Sequence, residues 1–238
     1  MLNFRSTARV LALGATLALV ACDDDDDIVS PQQTARVRVV NLNPNASSVG
    51  LFANGSAIGS NVAFGTAGAT CVDVPIGQAL TFRTAGSTSN LTSVQTTSLT
   101  ANQNYTIVLY GNNTTPQSAV LSDNGVTAPT AGNAAIRFFN ASGTAGDIYV
   151  TSPNGTLPGT ANAANLAAGQ ATTTFGSYPT ANTQIRVFNA GSPTTGTPAL
   201  NVSITPTALS TNRVGTVFLT NATTTGGTNA TLTTAPCS

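Results

Sequence analysis

Few side chains in this 238-residue chain can act as strong acids, bases, nucleophiles or metal ligands. The thiols are Cys22, Cys71 and Cys237, and the carboxylates are Asp23 to Asp27, Asp73, Asp123 and Asp147. There is no His, every base is Arg and every acid is Asp. Without His, neither a Ser–His–Asp nor a Cys–His nucleophilic system can be built, nor a His-ligated zinc, copper or iron site. Without Lys there is no phosphate-binding P-loop, Schiff base or Ser–Lys pair. Acid–base catalysis would fall to Asp73, Asp123 and Asp147, which lie on different predicted elements. A glycosidase needs two carboxylates about 5–9.5 Å apart, and nothing in the spacing of these three suggests it. The inventory predicts a protein that is not an enzyme, with no cofactor and no metal.

Cys22 has a more definite context. Arg5 and Arg9 precede the apolar run Leu11 to Ala21, and Leu19-Val20-Ala21-Cys22 closes it. The run fits the roughly 7–15 residues of an export-signal core and falls short of the ~20 needed to span a membrane, so residues 1–21 read as a cleaved leader. The sequence around Cys22 resembles the lipobox of bacterial lipoproteins, which implies lipidation of Cys22 as the new N-terminus. Asp23 to Asp27 then begin a self-repelling tether over residues 22–34. Two further resemblances disagree about destination. An aspartate directly after the cysteine marks inner-membrane retention in enterobacterial lipoproteins, whereas an acidic run there resembles a surface-export signal of other lineages. The outer membrane or cell surface is the favoured expectation over the periplasmic face of the inner membrane.

Cys71 and Cys237 admit two readings. They are either unrelated thiols, one in a strand and one at a frayed end, or a disulfide formed after export, since acylation of Cys22 leaves an even number. Asp123-Asn124-Gly125 reads as a turn in preference to a calcium loop, because the further oxygen ligands of an EF-hand are missing. Tyr110, Tyr149 and Tyr178 either fill a core or stack on sugars, and the scarcity of aromatic residues favours the core.

The remaining composition is that of a chain of short strands. Thr and Val suit pleated surfaces, Gly, Asn and Pro mark turns, and no segment beyond the leader keeps a helical apolar period past about two turns. In the first part, strands are expected at Arg36–Asn41, Val49–Ala53, Thr70–Val74, Leu80–Thr84, Thr92–Leu99, Tyr105–Tyr110 and Ser118–Leu121. Asn54-Gly55 and Pro75-Ile76-Gly77 supply turns. Val37 and Val39 alternate with Arg36 and Arg38, which predicts an edge or solvent-facing strand. Ile107-Val108-Leu109 is apolar throughout, as a strand covered on both faces would be.

The chain also repeats itself. Ala35-Arg36-Val37-Arg38-Val39-Val40-Asn41 matches Ala134-Ala135-Ile136-Arg137-Phe138-Phe139-Asn140. Leu80-Thr81-Phe82-Arg83-Thr84 aligns with Thr183-Gln184-Ile185-Arg186-Val187, and Leu99-Thr100-Ala101-Asn102 with Leu209-Ser210-Thr211-Asn212. Three blocks in one order, with an offset that grows steadily, argue for a tandem duplication. The predicted architecture is all-β: two β-sandwiches, immunoglobulin-like or transthyretin-like, at 35–125 and 134–238, joined by a linker at 126–133.

An opening strand of the form Arg-[Val/Phe]-[Val/Phe]-Asn, a short loop and a strand ending before Asn-Gly resemble the bacterial family DUF4397, a domain of unknown function. Asp147-Ile148-Tyr149-Val150 keeps the family's second-strand pattern, while Gly50 and Phe52 depart from it. The resemblance covers 35 to about 122 well and 134 to about 220 more loosely. It implies a fold and an exported, often anchored setting, but brings no catalytic residues. The resulting expectation is a non-catalytic, lipid-anchored envelope protein in a structural, adhesive or recognition role. The alternative is a carbohydrate- or small-ligand-binding lipoprotein of an envelope or uptake complex. Expected partners are the membrane, through the anchor, and envelope proteins or glycans. Nucleic acid is not expected, because the body has no basic patch.

Overall fold

Among the described residues of the computed structural model, Thr- and Val-rich runs between turn residues form seventeen β-strands and no α-helix. The structure describes residues 32–95, 98–112, 114–180, 183–191, 200–204, 213–220, 230–234 and 237. The first half comprises β1 (Thr34–Asn41), β2 (Ser48–Ala53), β3 (Ser56–Ala63), β4 (Thr66–Ala67), β5 (Val72–Pro75), β6 (Leu80–Thr84), β7 (Thr92–Val94), β8 (Asn104–Gly111) and β9 (Pro116–Ser122). The second comprises β10 (Asn133–Ala141), β11 (Gly146–Thr151), β12 (Ala163–Leu166), β13 (Gly176–Pro179), β14 (Thr183–Asn189), β15 (Leu200–Ile204), β16 (Val214–Thr220) and β17 (Ala230–Thr234). Both halves belong to one compact unit, Gln32–Ser238.

Four sheets result. In the first half, β4-β1-β8-β9 form one sheet, with β5 also on β1, and β3-β2-β6-β7 form another. In the second half the orders are β13-β10-β16-β17 and β12-β11-β14-β15. The pattern recurs in detail: β1 runs parallel to β8, and β10 parallel to β16, while the other pairings are antiparallel. Each half has its own core. Val37, Val39, Ile107 and Leu109 pack with Leu51, Leu80 and Phe82, while Ile136, Phe138 and Val217 pack with Ile148, Ile185 and Val187.

The repeated Asn that ends the opening strand has the same task in both halves. Asn41 is fully buried, and its Nδ2 donates to Ala46 O at 2.9 Å and Val62 O at 3.2 Å while Oδ1 accepts from Asn43 N. Asn140 Nδ2 donates to Thr144 O at 2.7 Å and Leu166 O at 2.8 Å, and its Oδ1 accepts from Ser142 N. One short amide thus closes the loop after the first strand and ties it to the second sheet, satisfying backbone groups that burial would otherwise orphan.

Several expectations shift. At the expected hairpin, Asn54 and Gly55 take φ of 46° and 86°, which matches the left-handed pair of a type I′ turn. The strand it leads into, β3, was not anticipated, because only one of its eight residues is buried and its apolar pattern is weak. The strand expected to run from Thr92 to Leu99 stops at Val94. Asn133, placed in the linker, opens β10. The expected edge or solvent-facing position of β1 is corrected: β1 lies inside its sheet, and Val40, on the Arg36 and Arg38 face, is fully buried. The arginines signal solvent over only part of that face.

Replacing Asn140 with Ala leaves the buried Leu166 carbonyl and the Thr144 carbonyl without this donor. The expected loss is about 1–3 kcal/mol of folding stability, read as a lower denaturant midpoint with an unchanged slope.

Candidate functional site

In β1, β8, β10 and β16, alternate residues serve two different cores. Ile107 and Leu109 point into the first half, while Val108 between them joins Val40, Leu42 and Leu121 in a separate cluster with Phe139 and Phe218 of the second half. The sheets β4-β1-β8-β9 and β13-β10-β16-β17 therefore pack against each other. Phe139 meets Tyr110 edge-on at 5.4 Å and Phe218 at 5.8 Å between ring centroids. Full burial of Phe139 and Phe218 is worth about 1.5–3 kcal/mol each relative to exposure. The close approach extends to Gly169, where a Cβ would run into the Tyr110 hydroxyl.

A buried ion pair fixes the same junction. Asp123, just after β9, and Arg137, in β10, are 2.7 Å apart with side-chain exposures of 2 % and 5 %. Arg137 also donates from Nη1 to Ser122 O at 2.6 Å and from Nη2 and Nε to Thr216 Oγ1 at 2.9 and 3.2 Å. Thr106 Oγ1 donates to Asp123 Oδ2 at 2.7 Å, and the guanidinium lies 4.7 Å over the Phe175 ring. Burial lowers the affinity of Arg137 for its proton, and the Asp123 carboxylate opposes that shift. A buried pair of this kind roughly breaks even against apolar residues. The aromatic cluster therefore supplies most of the cohesion, and the ion pair satisfies the charges that the packing buries.

Cys71 and Cys237 are joined as a disulfide, with Cα atoms 5.9 Å apart, which ties the end of the second half to the first. The Cys71 Sγ also lies 3.5 Å from Arg38 Nη2. By the chain-entropy account, closing a separation of 166 residues restricts the unfolded chain by at most roughly 5 kcal/mol. Arg38 and Arg137 occupy matching positions: Asp123, after the last strand of the first half, bonds Arg137, while Cys237, after the last strand of the second, is bonded to Cys71 beside Arg38. One link uses an ion pair and the other a covalent bond.

The remaining singled-out residues are dispersed. Cys22 and Asp23 to Asp27 lie outside the described residues. Asp73 sits opposite Arg36 in the β1–β5 register. Asp147 accepts Asn165 N at 2.6 Å and Gly191 N at 3.1 Å. Asn124 of the Asp123-Asn124-Gly125 turn exchanges side-chain hydrogen bonds with the Asn104 backbone, and the Asp123 carboxylate is taken by Arg137 and Thr106. Tyr149 is buried against Phe188, Tyr178 packs against Phe138, and Tyr110 faces the junction. Among the described residues, no three Cys or Asp converge on a metal-sized site. The structural role of Arg137 escaped the sequence reading. Its signal was Ile136-Arg137-Phe138-Phe139, an arginine in an apolar run without the alternation of a half-exposed strand.

Residues 35–151 match the family described as a domain of unknown function, DUF4397. This stretch is similar to that family in sequence. The DUF4397 match runs past the first half and through β11, so it contains both loop-closing asparagines and the Asp123–Arg137 pair. No curated protein matches the chain.

Two outcomes follow from the junction. Asp123→Ala strands a buried guanidinium and is expected to cost about 3–5 kcal/mol, whereas Asp123→Leu combined with Arg137→Met recovers most of that loss in chemical denaturation. Burial raises the phenol pKa of Tyr110 and Tyr178 above 10.0. Their stabilising contribution is present below pH 10 and lost as pH rises through the folded values, because the unfolded phenols ionise first. Absorbance titration should show two delayed phenols, with stability falling over the same alkaline range.

Proposed function

We propose that this is a non-catalytic, lipid-anchored protein of the bacterial envelope. In this reading its two halves are tandem β-sandwiches of immunoglobulin-like or transthyretin-like kind, serving as one stiff structural, adhesive or recognition unit. The observation that carries the proposal is the junction: an aromatic cluster, a buried ion pair and a disulfide all restrain motion between the halves. A flexible linker alone would leave two modules free to reorient. Two of the body's three acids support a non-catalytic role, since Asp123 and Asp147 are held by structural hydrogen bonds.

The sandwich reading draws on the separate core of each half and on Tyr105. At the start of β8, its hydroxyl accepts from Thr100 N at 3.0 Å and donates to Ser98 O at 3.1 Å. That return bond is similar to the tyrosine corner of immunoglobulin-like domains.

Anchoring rests on Leu19-Val20-Ala21-Cys22 and the basic and apolar residues before it. Lipid on Cys22 would leave Asp23 to Asp27 as a hydrated spacer between bilayer and body. Cys22→Ala should abolish palmitate incorporation and move the chain from the membrane fraction to the soluble fraction. Retention of both label and membrane association in that variant would overturn the anchor.

A further inference from the structure

The junction leaves one polar recess open. A cavity of about 340 Å³ lies beside the Asp123–Arg137 pair, where Asn124, Thr127 and the segment Thr173-Thr174-Phe175 converge on Arg137. That size lies at the small end of pockets that take small-molecule ligands. At the matching place in the first half, Arg38 meets Cys71 and its disulfide instead. The two ends of the junction are therefore alike in their arginine but differ in what lies over it.

We propose that this recess binds a neutral polyhydroxylated ligand of the size of one sugar residue. Its lining argues for that class. Arg137 is the one charged residue lining the cavity among the described residues, and its charge is balanced by Asp123 at 2.7 Å. A phosphate or carboxylate would therefore meet little net attraction. Thr127, Thr173 and Thr174 are exposed residues of the lining, and their hydroxyls can exchange donors and acceptors with ligand hydroxyls. Phe175 is half-buried, and with one ring face covered by the guanidinium its remaining surface in the lining offers an apolar contact for ligand C–H groups. The lining is more polar than that of most small-ligand sites, which suits a ligand whose own surface is mostly hydroxyl. The network through Ser122, Asp123 and Thr216 holds Arg137 in place before the ligand arrives, which limits the ordering cost of binding.

The inference stands apart from the anchor, since soluble Cys22→Ala protein with its disulfide intact should bind equally well. Saturation-transfer NMR with glucose, galactose, mannose and N-acetylglucosamine is the test, with sulfate and acetate as competing anions. At least one sugar is expected to bind at about 10 mM or below. Thr127→Trp and Thr174→Trp each fill the recess from an exposed position that the fold can spare. Either variant, with an unchanged melting temperature, should weaken binding by roughly tenfold or more. No binding by any of the four sugars, binding unaltered in both variants, or displacement of the sugar by sulfate or acetate would each overturn the proposal.

Discussion

Phe139 and Phe218 can be buried only where two sheets from different halves press together, and that contact dictates much of the rest. It requires β8 and β10 to be apolar on both faces, which is why Val108 separates two core residues and Phe139 follows Phe138. Strands covered on both sides lose the polar and apolar alternation of an exposed sheet. The cost is that any polar group on these strands must find a partner inside. Arg137, Thr106 and Thr216 do so around Asp123, so the ion pair is best understood as a consequence of the packing.

The contact is also nearly self-complementary. Val40 and Phe139 hold the same place in their opening strands, and Val108 and Phe218 correspond in the strands beside them. Like surfaces meeting in this way describe the isologous interface of a twofold dimer. Two halves of like topology meeting in this way need only one kind of patch, with Phe139 and Phe218 on one side facing Val40 and Val108 on the other. The two end segments depart from this symmetry, with a carboxylate on one side and a disulfide on the other.

Much of the strand pattern was legible because it depends on local chemistry. Asn54-Gly55 marked its hairpin through the left-handed backbone it tolerates, and Ile107-Val108-Leu109 marked a strand covered on both sides. The repeated Asn41 and Asn140 were visible as a motif, but their buried amide bonds were not, since an Asn at a strand end ordinarily signals only a turn. β3 was illegible because its mostly exposed residues carry little apolar period. The junction was hidden for another reason: Arg36 and Arg38 announce solvent on a face that becomes buried one step later, at Val40. The recess beside Arg137 arises from segments far apart in sequence, and threonines are too common in this chain to single out three of them.

The disulfide makes residues 71 to 237 a covalently closed ring that contains the connector between the halves. A protease cutting once within that ring, for example at the exposed Thr127 or Ala128, would produce two chains without releasing either from the other. The aromatic cluster would still hold the cut ends' domains together, and the sulfur bridge would prevent their diffusion apart. Wherever its loops meet a protease, that closure converts a severing cut into a nick.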